Sequence, residues 1–252
     1  KNFAATDRGD VYTDQLKKAG EMIGWSSKWK ARGTQKGAIR EGLGIGVGTW
    51  GGMGHNVTAR TTIHPDGAVE IEIGTQDLGT GTRTIILQTA AESLGLHMND
   101  IRLKIGDNSY PPGGASGGST TVGGVSAATR KSTLNGLEKL FEAVAESLGV
   151  AATDLVAKNG KVMAKNDSSK SLDWDAACKK LGVTPIEATG ANNRRSPGGL
   201  IDQGVGGCQV AHVTVDTETG IVKLNKLVAV HDCGLIINPK TAESQVFGGV
   251  IM

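Results

Sequence analysis

The placement of glycine constrains this chain more than any other feature. Glycine accounts for 38 of 252 residues, roughly twice ordinary usage. The glycines crowd into four runs, Gly42 to Gly54, Gly79 to Gly81, Gly113 to Gly124 and Gly198 to Gly207. A residue without a Cβ loses much entropy on ordering, so clustered glycines mark backbone that takes positive φ or is approached closely by something else. The chain must therefore fold as regular elements punctuated by loops built for close contact.

Between those runs the periodicity is clear. Residues 12–25 place Leu16, Ala19, Ile23 and Trp25 on a short amphipathic helix closing near Gly24. Gly44 to Trp50 alternates small and apolar residues as a strand, and Val57 to His64 with Ala68 to Gly74 forms a hairpin across Pro65-Asp66-Gly67. Gly79-Thr80-Gly81 opens a helix over Thr82 to Leu94, stopped by Gly95. Ile101 to Ile105 reads as a short strand, Pro111 to Gly118 as a polar loop, and Ser119 to Leu148 as a long helix with one apolar face.

Further on, Leu155 to Ala157 and Lys161 to Ala164 pair as a hairpin before a short helix near Leu172 to Leu181. Gln209 to Val215 and Val222 to Val230 flank a turn at Asp216 to Gly220, and Gln245 to Met252 begins a last helix. Hairpins and helices without regular alternation predict an α+β fold. The expected organisation is a first half over 1–182 with both inner glycine loops, a connection over 183–207, and a second half over 208–252, truncated at its C-terminal end.

Composition narrows the function. A formal net charge of +2, from 27 basic and 25 acidic residues, gives no field that would gather nucleic acid. No run approaches the ~18 apolar residues of a membrane span. Cys178, Cys208 and Cys233 lie far apart without a C-x-x-C pair, which argues against a disulfide framework or a thiolate metal site. The chain begins Lys1-Asn2-Phe3 with no initiator Met or signal region, as a processed or internal piece would. No H-E-x-x-H metal pair and no G-x-S-x-G elbow occurs.

Three constellations carry chemistry. Gly74-Thr75-Gln76-Asp77-Leu78-Gly79-Thr80-Gly81-Thr82-Arg83-Thr84 joins a strand end to a helix start. Unpaired N–H groups and the positive dipole end there suit a phosphate or a pterin edge. Pro111 to Gly124 ends in hydroxyls at a second helix start, where Ser119 or Thr121 serves either as a cap or as a ligand contact. His231-Asp232-Cys233-Gly234, followed by Asn238, Pro239 and Gln245, suggests a general base, although a strand-end His beside a capping Asp is more often a satisfied structural pair.

Taken in order, these runs resemble the molybdenum hydroxylases of the xanthine dehydrogenase and aldehyde oxidase type. The resemblance is strongest over Asp77 to Gly95, Gly113 to Gly124 and Gly207 to Gly249, where VDTETGIVKLNKLVAVHDCGLIINPKTAESQVFGGV is similar to the signature of the large, cofactor-binding subunit. AGEMIGW and GLGIGVGTW add weaker similarity. The resemblance implies the second molybdenum-cofactor-binding domain of such a subunit, built of hairpins and packed helices.

It also implies roles. Leu78, Gly79, Thr80 and Gly81 are expected against the pterin. Gly117, Gly118, Ser119 and Thr121 are expected at the pterin or its diphosphate, and Gln245 as a hydrogen-bond partner of the cofactor. No metal ligand and no catalytic residue is expected in this piece. The implied cofactor is a molybdenum pyranopterin, expected as a cytosine dinucleotide, with iron–sulfur clusters and FAD on partner subunits or domains.

The implied reaction hydroxylates an aldehyde or N-heterocycle with water as oxygen source, and the style of the loops favours aldehydes. The expected compartment is the cytoplasm, with the periplasm as the alternative. Two departures stand out. Thr80 replaces the glutamine of the family's G-Q-G loop, and neither its G-G-x-F-G loop nor its G-x-G-E segment, which bears the glutamate base, is present. The fragment alone is therefore expected to be inactive. A non-catalytic binding or scaffolding module of the same fold is the alternative.

Overall fold

The computed structural model describes residues 9–51, 54–193 and 205–251. In chain order the elements are α1 (Gly9–Ile23), α2 (Trp25–Lys28), β1 (Ile39–Trp50), β2 (Val57–Ile63), β3 (Val69–Ile73), α3 (Thr82–Leu94), β4 (Ile101–Ile105) and α4 (Thr121–Leu148). There follow β5 (Leu155–Lys158), β6 (Lys161–Ala164), β7 (Asp167–Asp173), α5 (Trp174–Cys178), β8 (Ile186–Asn192), β9 (Val205–Asp216), β10 (Val222–Asp232) and α6 (Pro239–Ile251). The chain divides into two compact units, Lys1–Gly51 with Gln203–Met252, and Gly52–Asp202. That division follows lines other than the linear halves read from the sequence, because β1 pairs with a strand more than 150 residues later in the chain.

The first unit is a three-stranded antiparallel sheet, β1-β9-β10, with α1 across one face. Its helix buries Tyr12, Gln15, Ala19 and Ile23; of these, Ala19 and Ile23 join Cys208, Val210 and Val228 in a small core flanked by Trp25, Leu43 and Val230. Gly206 is required here, since a Cβ would fall 2.5 Å from the Tyr12 hydroxyl. Asn238 Oδ1 accepts from the Thr241 amide at 3.1 Å and Pro239 opens α6, the usual way to start a helix. α6 itself buries none of its residues within the described structure.

The second unit holds the larger core. Its sheet runs β4-β3-β2-β8, with β3 and β4 parallel through the α3 crossover and the other pairs antiparallel. Period-two alternation sends Val57, Ala59, Ile63, Val69, Ile71 and Ile73 inward, where α3 contributes Ile86 and Leu94 and α4 contributes Val125, Leu140 and Val144. The outer face carries the intervening charges in register. Arg60 opposes Glu72, Glu70 opposes Arg102, and Lys104 Nζ donates to Glu70 at 2.7 Å and Glu72 at 3.3 Å. The small meander β5-β6-β7 completes the unit.

Two sequence expectations need correction. The short helix expected from Leu172 begins as strand β7, and α5 spans only Trp174–Cys178. The connection expected over 183–207 contains β8, paired with β2 from Ile186↔Ile63 to Asn192↔Val57, and the start of β9. Residues 194–204, with most of the fourth glycine run, lie outside the described residues. Among the described residues no helix is long and apolar enough to cross a membrane.

Candidate functional site

The two inner glycine loops meet in the second unit. Gly74 to Gly81 leaves the carboxyl end of β3 and opens α3, the place where open sheets with parallel crossovers receive ligands. Pro111 to Thr120 returns beside it and opens α4. The Gly74 amide donates to Pro111 O at 2.7 Å, the Thr58 amide to Pro112 O at 3.0 Å, and the Gly114 amide to Asn56 O at 3.1 Å. Gly74 is essential to that crossing, because a Cβ there would stand 2.8 Å from Pro111 O.

The two helix starts differ in a way the glycine pattern alone did not disclose. At α3 the carboxylate of Asp77 already fills the anion position. Its oxygens accept from the Gly79 and Arg83 amides, each at 3.0 Å. Burial pushes the Asp77 carboxyl up, but the amides of Arg83, Gly79, Gly81 and Thr82 together outweigh it and hold it below the ordinary carboxylate range. The Gly79 and Arg83 amides are thus met by a carboxylate of the chain itself. What the loop offers outward is Leu78, 69% exposed, and an exposed Thr80, whose amide meets no acceptor among the described residues.

At α4 the start is open. The N-cap position, Thr120, gives no side-chain cap; its hydroxyl donates backward to Gly117 O at 2.8 Å. Helical bonding begins with the Gly124 amide donating to Thr120 O at 3.2 Å, so the amides of Thr121, Val122 and Gly123 meet no acceptor among the described residues. Gly118 and Ser119 both take left-handed conformations, at φ 64° and 60°. For Ser119 that conformation is uncommon outside glycine. Gly117 shows no positive φ, and a Cβ there would meet nothing within 4 Å. Neither backbone conformation nor packing within the chain accounts for that glycine.

His55, which the sequence left as an unremarkable histidine, organises this loop. It is 7% exposed, and its ring lies between Gly114 and Gly124, whose Cβ positions the imidazole occupies. Its amide donates to Thr120 O at 3.1 Å, and its carbonyl accepts from Asn192 Nδ2 at 2.9 Å. Gly54 adds a backbone approach to Gly123 and Gly124, at 2.7 Å and 2.8 Å from a notional Cβ. The readable signal was the dense glycine around the helix start, which a bulky ring and a crossing main chain need.

Gln245 lies exposed on α6, which belongs to the first unit, whereas both loops belong to the second. His231 and Asp232 end β10. The Asp232 carboxylate accepts from the Gly234 amide at 3.0 Å, a turn bond, and His231 sits over Gly207. They border a cleft of about 370 Å³ with Val11, Asp14, Gln15 and Val230. No group of three or more His, Cys, Asp or Glu among the described residues could hold a metal ion.

An open helix start beside a loop of glycine and hydroxyl groups suits a polar, anionic group. The sequence pattern of a molybdopterin cofactor-binding domain matches residues 18–252. The chain belongs to the molybdopterin cofactor-binding domain family. This domain is 31% identical over 233 residues to the aldehyde oxidoreductase molybdenum-binding subunit PaoC of Escherichia coli O157:H7, covering 89% of the chain and 30% of that protein.

It is 27% identical over 254 residues to a putative xanthine dehydrogenase molybdenum-binding subunit, XdhA, of Escherichia coli K12, covering 94% and 33%. Its fold matches quinoline 2-oxidoreductase from Pseudomonas putida 86 with a TM-score of 0.81 at 22% identity, over 95% of this chain and 33% of that one. The α+β expectation and the family expectation both stand. The molybdopterin-binding domain spans about a third of the length of the curated relatives it matches.

Proposed function

We propose that this domain holds the pyranopterin of a molybdenum hydroxylase large subunit, and that the α4 start with the Gly117 to Thr121 turn is its anion-binding part. The observation that carries this reading is the contrast between the two helix starts. One is closed by Asp77, while the other leaves three amides and the Ser119 hydroxyl beside a glycine that the chain itself does not require. Such a start favours a phosphate through N–H donors and the dipole of a helix of 28 residues.

In this reading Gly117, Gly118, Ser119 and Thr121 hold the pterin or its diphosphate, with the cytosine dinucleotide as the proposed form. Leu78, Gly79, Thr80 and Gly81 lie against the pterin, Leu78 by apolar contact and Thr80 through its amide and hydroxyl. Asp77 fixes the loop, so Leu78 and Thr80 are presented without reorganisation. Gln245 is proposed as a further hydrogen-bond partner. When bound, the molybdenum cofactor supplies hydroxylation of an aldehyde or N-heterocycle with water as oxygen source. Iron–sulfur and flavin partners, and an aldehyde substrate in preference to a purine, belong to the same proposal.

Metal and pterin analysis of the full-length subunit tests it. About one molybdenum per subunit, with turnover of benzaldehyde or vanillin, is the expected result; purine-only turnover would overturn the substrate preference. A non-catalytic module of the same fold is the second reading, favoured by Asp77 occupying the α3 amides and by Thr80. A full-length subunit free of molybdenum would support that alternative.

A further inference from the structure

Beyond the main-chain crossing at Gly74 and Pro111, one side chain ties the two loops together among the described residues. Gln76 Oε1 accepts from the Ser116 amide at 3.1 Å and from the Ser116 hydroxyl at 2.9 Å, across 40 residues of sequence. The same hydroxyl lies 3.5 Å from Gln76 O. Gln76 is exposed and contributes nothing to the apolar core. It neighbours Asp77, which fastens the first loop to α3.

Ser116 begins the turn that Thr120 ends, and Thr120 is held from behind by the His55 amide. The segment from Ser116 to Thr120 is thus pinned at both ends, by Gln76 in front and by His55 behind. Inside it lie Gly117, whose surroundings are open, and the left-handed pair Gly118 and Ser119. Without the front pin, two glycines next to each other make the turn free to swing. A neutral amide oxygen is suited to this post, because a carboxylate would accept the same bonds but place negative charge beside an anion site.

We propose that Gln76 is a positioning residue that fixes the Gly117 to Thr120 turn against the Leu78 to Gly81 loop, and so sets the spacing between the two segments that grip the cofactor. The inference rests on the proposed role of those loops. Its test uses the full-length subunit in its native complex, comparing wild type with Gln76→Ala, Ser116→Ala and Ser116→Thr. Three quantities are read: molybdenum per subunit after extended dialysis, the hydrogen-exchange rate of the Ser116 amide in cofactor-free protein, and the melting temperature.

Two neutral hydrogen bonds are lost in Gln76→Ala, so roughly tenfold weaker cofactor retention is expected. Ser116 exchange should be faster, and the melting temperature unchanged, since the side chain is exposed. Ser116→Ala keeps the amide donor and should show a smaller loss; Ser116→Thr keeps both donors and should match wild type. Equal retention in Gln76→Ala and wild type overturns the positioning role, as does a loss that merely follows a lowered melting temperature. Wild type without molybdenum would instead remove the binding reading. The exchange rate of Ser116 would still show whether Gln76 holds the turn.

Discussion

Replacing Gly124 with alanine separates packing from propensity at the base of the proposed site. Within a helix this change ordinarily adds up to about 1 kcal/mol of stability. Here the new Cβ would press on the His55 ring at Cδ2 and stand 2.7 Å from the His55 carbonyl oxygen, which is 0.7 Å inside the 3.4 Å limit of ordinary contact. The oxygen has little room to retreat. It accepts from Asn192 Nδ2 at 2.9 Å, while the His55 amide donates to Thr120 O at 3.1 Å.

Overpacking of a buried site costs about 1–3 kcal/mol, and stretching the two His55 bonds adds about 1 kcal/mol. After the gain in propensity, a net loss of about 2 kcal/mol is expected. That corresponds to roughly 4–8 °C in melting temperature for a unit of this size. Thermal unfolding of Gly124→Ala beside Gly117→Ala is the assay. Gly117, with nothing within 4 Å of its Cβ position, should leave the melting temperature within about 1 °C. A Gly124→Ala protein as stable as wild type would refute the reasoning, since α4 would then not be pressed against His55.

Three other predictions follow from different parts of the molecule. Asp77→Asn should cost about 1 kcal/mol through loss of the charged cap at α3. Because the folded carboxyl lies below its unfolded value of about 3.9, the wild-type contribution is present above that pH and fades as pH falls through the folded value, so the two proteins should converge in acid; a constant gap down to strongly acid pH would contradict this. Thiol labelling of native protein should modify Cys233, which is exposed, and spare Cys178 and Cys208. Burial, with Asp175 and Asp66 nearby, pushes the Cys178 thiol up to about 12, and burial raises Cys208; rapid labelling at three sites would be inconsistent with the core described. The 252-residue chain expressed alone should carry no molybdenum and oxidise no aldehyde, checked by metal analysis and benzaldehyde turnover; stoichiometric metal in it would show that the binding surface is complete.

Strong periodicity made much of the fold legible. The helix expected over Thr82 to Leu94 is α3 to the residue, because Gly81 and Gly95 take left-handed φ at its two ends. Strand β8 was missed for a physical reason. Its inward positions are Ile186, Ala188, Gly190 and Asn192, too small and polar to read as an apolar stripe. Gly190 has to be small, since a Cβ would meet Ser132 N and stand 2.6 Å from Ala128 O on α4. Strand β7 is a polar sheet edge without alternation, so its first half carried no signal.

At the site, sequence indicated where the loops are but not how they are filled. Asp77 two residues before Gly79 and six before Arg83 is a readable capping pattern, and it decides which of two similar helix starts stays open. His55 gave no such sign, because its work is packing and main-chain bonding across 60 and more residues.

The most direct test is a difference hydrogen-exchange measurement between the molybdenum-loaded full-length subunit and its cofactor-free form. Slower exchange at the amides of Thr80, Thr121, Val122 and Gly123, with the Asp77-bound amides of Gly79 and Arg83 little changed, is the predicted pattern. Unchanged exchange at the start of α4 on loading would contradict the claim that this helix end holds the cofactor.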